Sequence, residues 1–198
     1  MKNWLTARRI AVERLREHAR KGLVDRDILG FLLEFNEKHH CAFTTSSCSG
    51  RLAVIEGPSI FDKRGARILA QTHDPSDCEP LLKAVRGEPS PGAVRWLSLQ
   101  PPILHFAALT LDTAQRIASI ADQSGFNRSC YKKYRPGGFH VEVAASDKLT
   151  ILKPEPGDVE LACRALAVYK GRLERLTRRL LEEDICGARS AATPSPSS

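Results

Sequence analysis

The sequence predicts an α+β domain, a mixed central β-sheet flanked by helices, and three observations carry that prediction. Segments with apolar residues at three- and four-residue spacing occupy both ends and the middle of the chain. Between them lie short apolar runs bounded by Gly, Pro and Asp, the pattern of strands. No Gly-x-Gly-x-x-Gly occurs, so the sheet is not the usual doubly wound dinucleotide-binding one.

With 198 residues and 42% apolar content the chain can bury one sizeable core. We read residues 1–187 as a single domain and 188–198, ARSAATPSPSS, as a tail disordered by composition.

A basic amphipathic helix opens the chain over residues 1–21, with Leu5, Val12, Leu15 and Ala19 on its apolar face. Asp25 is the natural cap of a second helix, whose apolar face runs Ile28, Leu29, Phe31, Leu32, Phe35. Next comes Thr44 to Arg51, TTSSCSGR, read as a turn before the strand Leu52 to Ile55. A second strand, Ala66 to Ala70, leads to His73. A short helix follows from Ser76 or Asp77 to Arg86, with Gly87 as its stop. Val94 to Leu99 is strand-like, Pro101-Pro102 interrupts the backbone, and ILHFAAL resumes as a strand carrying His105. Asp112 caps the next helix and Gly125 ends it; Phe139 to Val143 is a further strand, and a long helix spans about 158–185.

Helix, Phe, polar residues, Ser-Cys, strand occurs twice, at Phe43 to Cys48 and Phe126 to Cys130. The match is short and unequal by one residue, so duplication and coincidence both stand; strand order separates them.

Thirty Lys and Arg against 23 Asp and Glu leave a net charge of +7, which suits a polyanionic partner. No apolar run is long enough to cross a bilayer and the first residues alternate charge with apolar groups, so a cytoplasmic protein without membrane contact is expected. The six cysteines are far apart in a chain too long to need a disulfide framework, and read as free thiols. No C-x-x-C is present, so no metal site is expected.

Three features bear on chemistry. The hydroxyls and amides of Thr45, Ser46, Ser47, Cys48, Ser49 and Gly50, with Arg51 behind them, suit the holding of phosphate, carboxylate or ribose groups, or else simply satisfy a turn. His73 and His105 lie on strands or at their ends, where a neutral imidazole is available as a base. Arg128 to Arg135, RSCYKKYR, interleaves Arg128, Lys132, Lys133 and Arg135 with Tyr131 and Tyr134, the mixture of cations and aromatic faces that holds single-stranded nucleic acid.

The blocks VDRDILGFLLEFN, FTTSSCSGR, a strand ending in THD, PPILHFAALTLDTAQRIASIADQSGF and a following Ser together resemble the wybutosine-synthesising tRNA methyltransferase family, over about residues 20 to 152. The resemblance implies a fold other than the Rossmann methyltransferases and transfer of a methyl group from S-adenosylmethionine to a ring nitrogen, N(4), of a tricyclic guanosine derivative beside the anticodon of phenylalanine tRNA. It carries over Asp25, Asp27 and Asn36, then Ser46, Ser47, Cys48, Gly50 and Arg51, then His73, Pro101, His105, Ala114, Gly125, Phe126 and Ser129. The chain departs from the family pattern at Ile68-Leu69, at Gln100 where an acid is usual, at Asn127-Arg128-Ser129-Cys130, and at Ala144-Ala145.

On this reading His73, His105 and Ser47 are the catalytic candidates. Asp25, Asp27, Thr45 to Arg51 and Ser129 hold cofactor or base, and Arg128, Lys132, Lys133, Tyr134 and Arg135 hold tRNA. Methyl transfer is an in-line displacement that needs alignment and exclusion of water more than a nucleophile, so Cys48 is a small positioning residue. A noncatalytic RNA-binding protein that keeps the fold is the alternative.

Overall fold

The structure, a computed structural model, describes residues 2–61, 64–134 and 137–187. Arg135 and the tail 188–198 therefore lie outside the described residues. Five helices and eight strands follow one another among those residues: α1 (Lys2–Arg20), α2 (Arg26–Lys38), β1 (Ala42–Cys48), β2 (Arg51–Gly57), β3 (Arg67–Thr72), α3 (Glu79–Arg86), β4 (Val94–Gln100), β5 (Ile103–Ala108), α4 (Leu111–Gln123), β6 (Cys130–Lys133), β7 (Phe139–Ala144), β8 (Leu149–Leu152) and α5 (Pro156–Glu182).

The α+β class holds, but one mixed sheet is replaced by two antiparallel ones, ordered β1-β5-β7-β6 and β3-β2-β4-β8. They are joined by a bent ribbon. Cys48 pairs with Ile103 and Arg51 with Gln100, so the register of β1–β2 against β4–β5 passes unbroken through the corner. β7 and β8 follow the same path one row further, on Ile103 and Leu99. Sheets part where strands bend, and Pro101-Pro102, which cannot donate to a ladder, marks the place. TTSSC is thus a strand, and only Ser49-Gly50 turns. Gly50 has φ +85°, and a Cβ there would stand 2.9 Å from Pro102, so this bend requires glycine.

The duplication fails on strand order: β6 and β7 pair in one sheet, whereas β1 and β2 lie in different sheets. Two caps also differ. Thr110, not Asp112, caps α4 by accepting from the Thr113 amide, and Asp112 instead holds Arg116. Asp25 stands at the N-cap of α2 without capping it, because its carboxylate is used elsewhere. α3 begins later than expected, at Glu79.

α5 presents Val159, Ala162, Leu166, Leu173, Leu176 and Leu180 at three- to four-residue spacing to the main core, where α2 and α4 also pack and Phe35 meets Phe106 at 5.0 Å. α1 covers the opposite face of the β1 sheet. Its anchor is Trp4, 4.9 Å from Phe43, while Leu5 is exposed.

Buried Glu56 on β2 accepts from Arg95, Arg67 and Ser90, and Arg95 also donates to the carbonyls of Ala84 and Glu88, which ties the end of α3 to the sheet. Four cysteines form bridges, a correction to the free-thiol reading: Cys41 with Cys186 and Cys78 with Cys163, residues 145 and 85 apart. Spacing in sequence concealed these pairs because the fold alone brings the segment after α5 to the residue before β1, and α5 to α3. Cys48 and Cys130 remain free. His39 Nε2 donates to the Leu180 carbonyl oxygen at 2.9 Å, and burial lowers the pKa of this imidazole.

Two outcomes follow. Alkylation of the unreduced, denatured protein is expected to label Cys48 and Cys130 only; six labelled cysteines would contradict the two bridges. Hydrogen bonds from Arg95, then Arg67 and Ser90, hold the Glu56 carboxyl down from 4.5 to about 2. A depressed carboxyl stabilises the fold above its unfolded value and loses that contribution as pH falls. Glu56→Gln should therefore lower the melting temperature at pH 7 and flatten its fall between pH 4.5 and 2, as read by circular dichroism.

Candidate functional site

β1 is an edge strand, and α2 serves its outer edge. Asn36 accepts from the Thr44 amide at 2.9 Å and donates to the Thr44 hydroxyl at 2.7 Å, beside the bulge where Thr45 is left unpaired and exposed. At the other end, the Ser49 amide donates to Asp25 Oδ2 at 2.7 Å. Lys170 on α5 donates to the Ser49 carbonyl at 2.9 Å, to its hydroxyl at 2.8 Å and to Asp27 Oδ2 at 2.6 Å. The family positions Asp25, Asp27 and Asn36 thus hold the strand that carries the Ser and Cys residues. Lys170 is a partner that sequence reasoning missed; its only sign was a cation on an otherwise apolar face of the last helix.

A cleft of about 900 Å³ opens beside this corner, lined by Asp25, Asp27, His73, Asp74, Lys170 and Thr177 among others. His73 Nδ1 lies 3.0 Å from the Gly50 carbonyl and 3.5 Å from Asp25 Oδ2. Polar atoms of Asp25, Cys48 and His73 all lie within 4.8 Å of one another. Burial pushes the Cys48 thiol up, against the Gly50 hydrogen bond that lowers it, and the Asp25 carboxylate adds to the rise. Cys48 is therefore a protonated thiol at neutral pH and a poor nucleophile. Arg51 is held by the amide oxygens of Gln100 at 2.9 Å and of Gln71, which lines the cleft, at 3.3 Å. No carboxylate among the described residues pairs with it, so its charge is available to an anion.

A second cluster lies on the face of the β1 sheet that α1 partly covers. Ser46 Oγ is 2.6 Å from His105 Nδ1, and His105 Nε2 is 3.3 Å from Glu142 Oε2. The His105 and His140 rings are 5.1 Å apart, with the Tyr134 ring 6.3 Å beyond His140. Ser46 and Cys48, two residues apart on one strand, emerge on one face roughly 7 Å from each other, so this cluster adjoins the cleft.

The expected site residues divide accordingly. Asp25, Asp27, Cys48, Ser49, Gly50, Arg51 and His73 meet at the corner and cleft. His105 instead meets Ser46, so the two histidines serve different clusters. Ser47 donates to the Ser46 carbonyl at 2.7 Å and pairs with buried Leu104, which puts its hydroxyl on the side away from His105. Ser129 donates to the Phe126 carbonyl at 3.0 Å just before β6, at the edge of the sheet opposite β1. Arg128 is exposed, its amide bonded to the Ala144 carbonyl. Lys132 pairs with His140 and Lys133 with Phe139, so their side chains emerge on opposite faces. Tyr131 shares the Lys133 side and meets Gln115. Glu142 and His140 were missed by sequence reasoning; their alternation with Val141 and Val143 was the one available signal.

A bent pair of antiparallel sheets, with a nucleoside-sized cleft and a hydroxyl-imidazole-carboxylate array across three neighbouring strands, sets this chain apart from the Rossmann enzymes. Its likenesses agree. The model of the family Methyltransferase TYW3 matches residues 6–182. The chain is 32% identical over 191 residues to the Pyrococcus abyssi tRNA(Phe) 7-((3-amino-3-carboxypropyl)-4-demethylwyosine(37)-N(4))-methyltransferase 1, covering 91% of this chain and 97% of that one. It is 33% identical over 187 residues to the enzyme of the same name from Thermococcus kodakarensis, covering 88% and 93%. The solved structure of the PH1069 protein from Pyrococcus horikoshii superimposes with TM-score 0.80 at 32% identity, covering 90% of this chain and 96% of that one. The chain belongs to the TYW3 methyltransferase family.

Gly50→Ala, forced to hold a positive φ with its Cβ against Pro102, should lower the unfolding free energy by about 1–3 kcal/mol. Urea titration measures this, and an unchanged midpoint would show that the corner does not need glycine.

Proposed function

We propose that this chain transfers a methyl group from S-adenosylmethionine to the N(4) ring nitrogen of a 4-demethylwyosine-type base beside the anticodon of tRNA(Phe). The observation that carries the proposal is the sharing of one strand by two unlike clusters. The end of β1 is tied to the cleft through Asp25, which binds the Ser49 amide and lies with His73 beside Cys48, and Ser46 lies on the adjoining open face with His105.

The donor set fits the cofactor. A nucleoside offers hydroxyls that carboxylates accept from, a sulfonium is favoured beside anions, and an amino acid carboxylate is favoured beside guanidinium or ammonium groups. The cleft supplies Asp25, Asp27 and Asp74 for the first two and Lys170 for the last, in a volume within the usual range for such ligands. When bound, the cofactor supplies an activated methyl group. The chain's own residues orient the acceptor, exclude water and take up the proton that leaves the nitrogen.

The tRNA is expected along the open face. His105, His140 and Tyr134 form a row of rings on which bases can stack, and Lys132 with the arginines of α1 meets phosphates. Among the described residues no helix is long and apolar enough to cross a membrane.

Labelled S-adenosylmethionine is expected to methylate phenylalanine tRNA carrying the demethylated tricyclic base, and tRNA lacking that base is expected to stay unlabelled. Binding of tRNA without transfer would instead establish a noncatalytic RNA-binding protein. The cofactor at about 100 times its Kd should raise stability by about 2.7 kcal/mol, visible as a rise in Tm; His73→Ala should shrink that rise. Replacing Lys132 and Lys133 together by Ala should reduce the slope of log affinity against log salt by about 1 to 2. An unchanged slope would place the tRNA elsewhere.

A further inference from the structure

We propose that Glu142 is a positioning residue for methyl transfer: by accepting from His105 it fixes the imidazole tautomer that lets Ser46 receive the proton of the reacting nitrogen. The inference rests on the methyltransferase reading above and adds a residue and a proton path to it.

The geometry admits few alternatives. A carboxylate offers only acceptors, so the 3.3 Å contact of Glu142 Oε2 with His105 Nε2 is a hydrogen bond only if Nε2 carries hydrogen. In neutral His105 that leaves Nδ1 bare. Nδ1 then accepts, and the Ser46 hydroxyl at 2.6 Å must donate to it. Ser46 Oγ is left with its lone pairs turned toward an open face, since Ser46 is exposed. The other polar or titratable groups in register on that face are Cys48 on β1, His140 on β7, and Cys130 and Lys132 on β6, and the acceptor that Nε2 meets is Glu142.

The balance is straightforward. The electron pair of the ring nitrogen forms the new N–CH3 bond as the S–CH3 bond of the sulfonium breaks and its pair returns to sulfur. The proton on the nitrogen passes to Ser46 Oγ, and the Ser46 hydroxyl proton passes to His105 Nδ1. His105 becomes an imidazolium beside the Glu142 carboxylate, and the proton is later lost to water.

Glu142→Gln tests the role, because a glutamine amide can donate to Nε2 and so permit the other tautomer. Long-range ¹H–¹⁵N correlation spectra of His105 should show the Nε2–H tautomer in wild type and in Glu142→Asp, and Nδ1–H in Glu142→Gln. Turnover in the Gln variant should fall by about 10²-fold, with KM for tRNA and the cofactor-induced rise in Tm unchanged, and Glu142→Asp should recover part of it. Persistence of Nε2–H in the Gln variant, or full turnover in a variant whose tautomer has changed, would overturn the proposal. If wild type transfers no methyl, the methyltransferase reading fails, and the spectra alone decide whether Glu142 sets the tautomer.

Discussion

The bond from the Ser49 amide to the Asp25 carboxylate is the constraint on which most of the site depends. It arrests an edge strand at the point where the backbone must leave one sheet for the other, and Lys170 holds the same residue from the opposite side. Ser49 is fully buried there. An unpaired amide at such a place would cost about 1–3 kcal/mol. The bond also explains why Asp25 gives up its capping role: a carboxylate at the N-cap of α2 could have satisfied the helix, and here it satisfies the strand. Gly50 and Pro102 then fix the angle of the bend by contact alone.

Because the bend is fixed, one short strand can serve two environments. Its last residues are tied to carboxylates, an ammonium and an imidazole that line a cleft, and its middle residues lie on an open face with a second imidazole. In an in-line displacement the donor and acceptor must be held about 3 Å apart and aligned, and a rigid strand shared by both sites provides such a reference frame. The two disulfides act on the same frame, for Cys41 lies just before β1 and Cys78 joins the segment after His73 to α5.

Much of the fold was legible in the sequence where local chemistry and tertiary packing agree. The strands at Leu52, Val94 and Ile103, the break at Pro101-Pro102 and the long last helix all have periodicity or a backbone restriction behind them. What local chemistry could not supply was which residues meet across the fold. The Thr and Ser residues of TTSSC read as a turn because their hydroxyls often bond to the backbone, yet pairing with β5 made them a strand. Trp4 rather than Leu5 anchors α1 because Phe43 and Ala107 happen to lie beneath it. Likewise Ser46 faces His105 and Ser47 does not, since a strand alternates sides and a bulge at Thr45 sets which side comes first. Cys41 and Cys186 bond across 145 residues, a separation that no spacing rule addresses.

The central claim is that the donor and acceptor meet across β1, between the Asp25–His73 corner and the Ser46–His105 pair. A crystal structure with S-adenosylhomocysteine bound tests it most directly. The ligand is expected in the cleft between Asp25 and Lys170, with its sulfur turned toward Cys48 and Ser46. A ligand seated instead against β6 and β7, near Ser129, would contradict the claim.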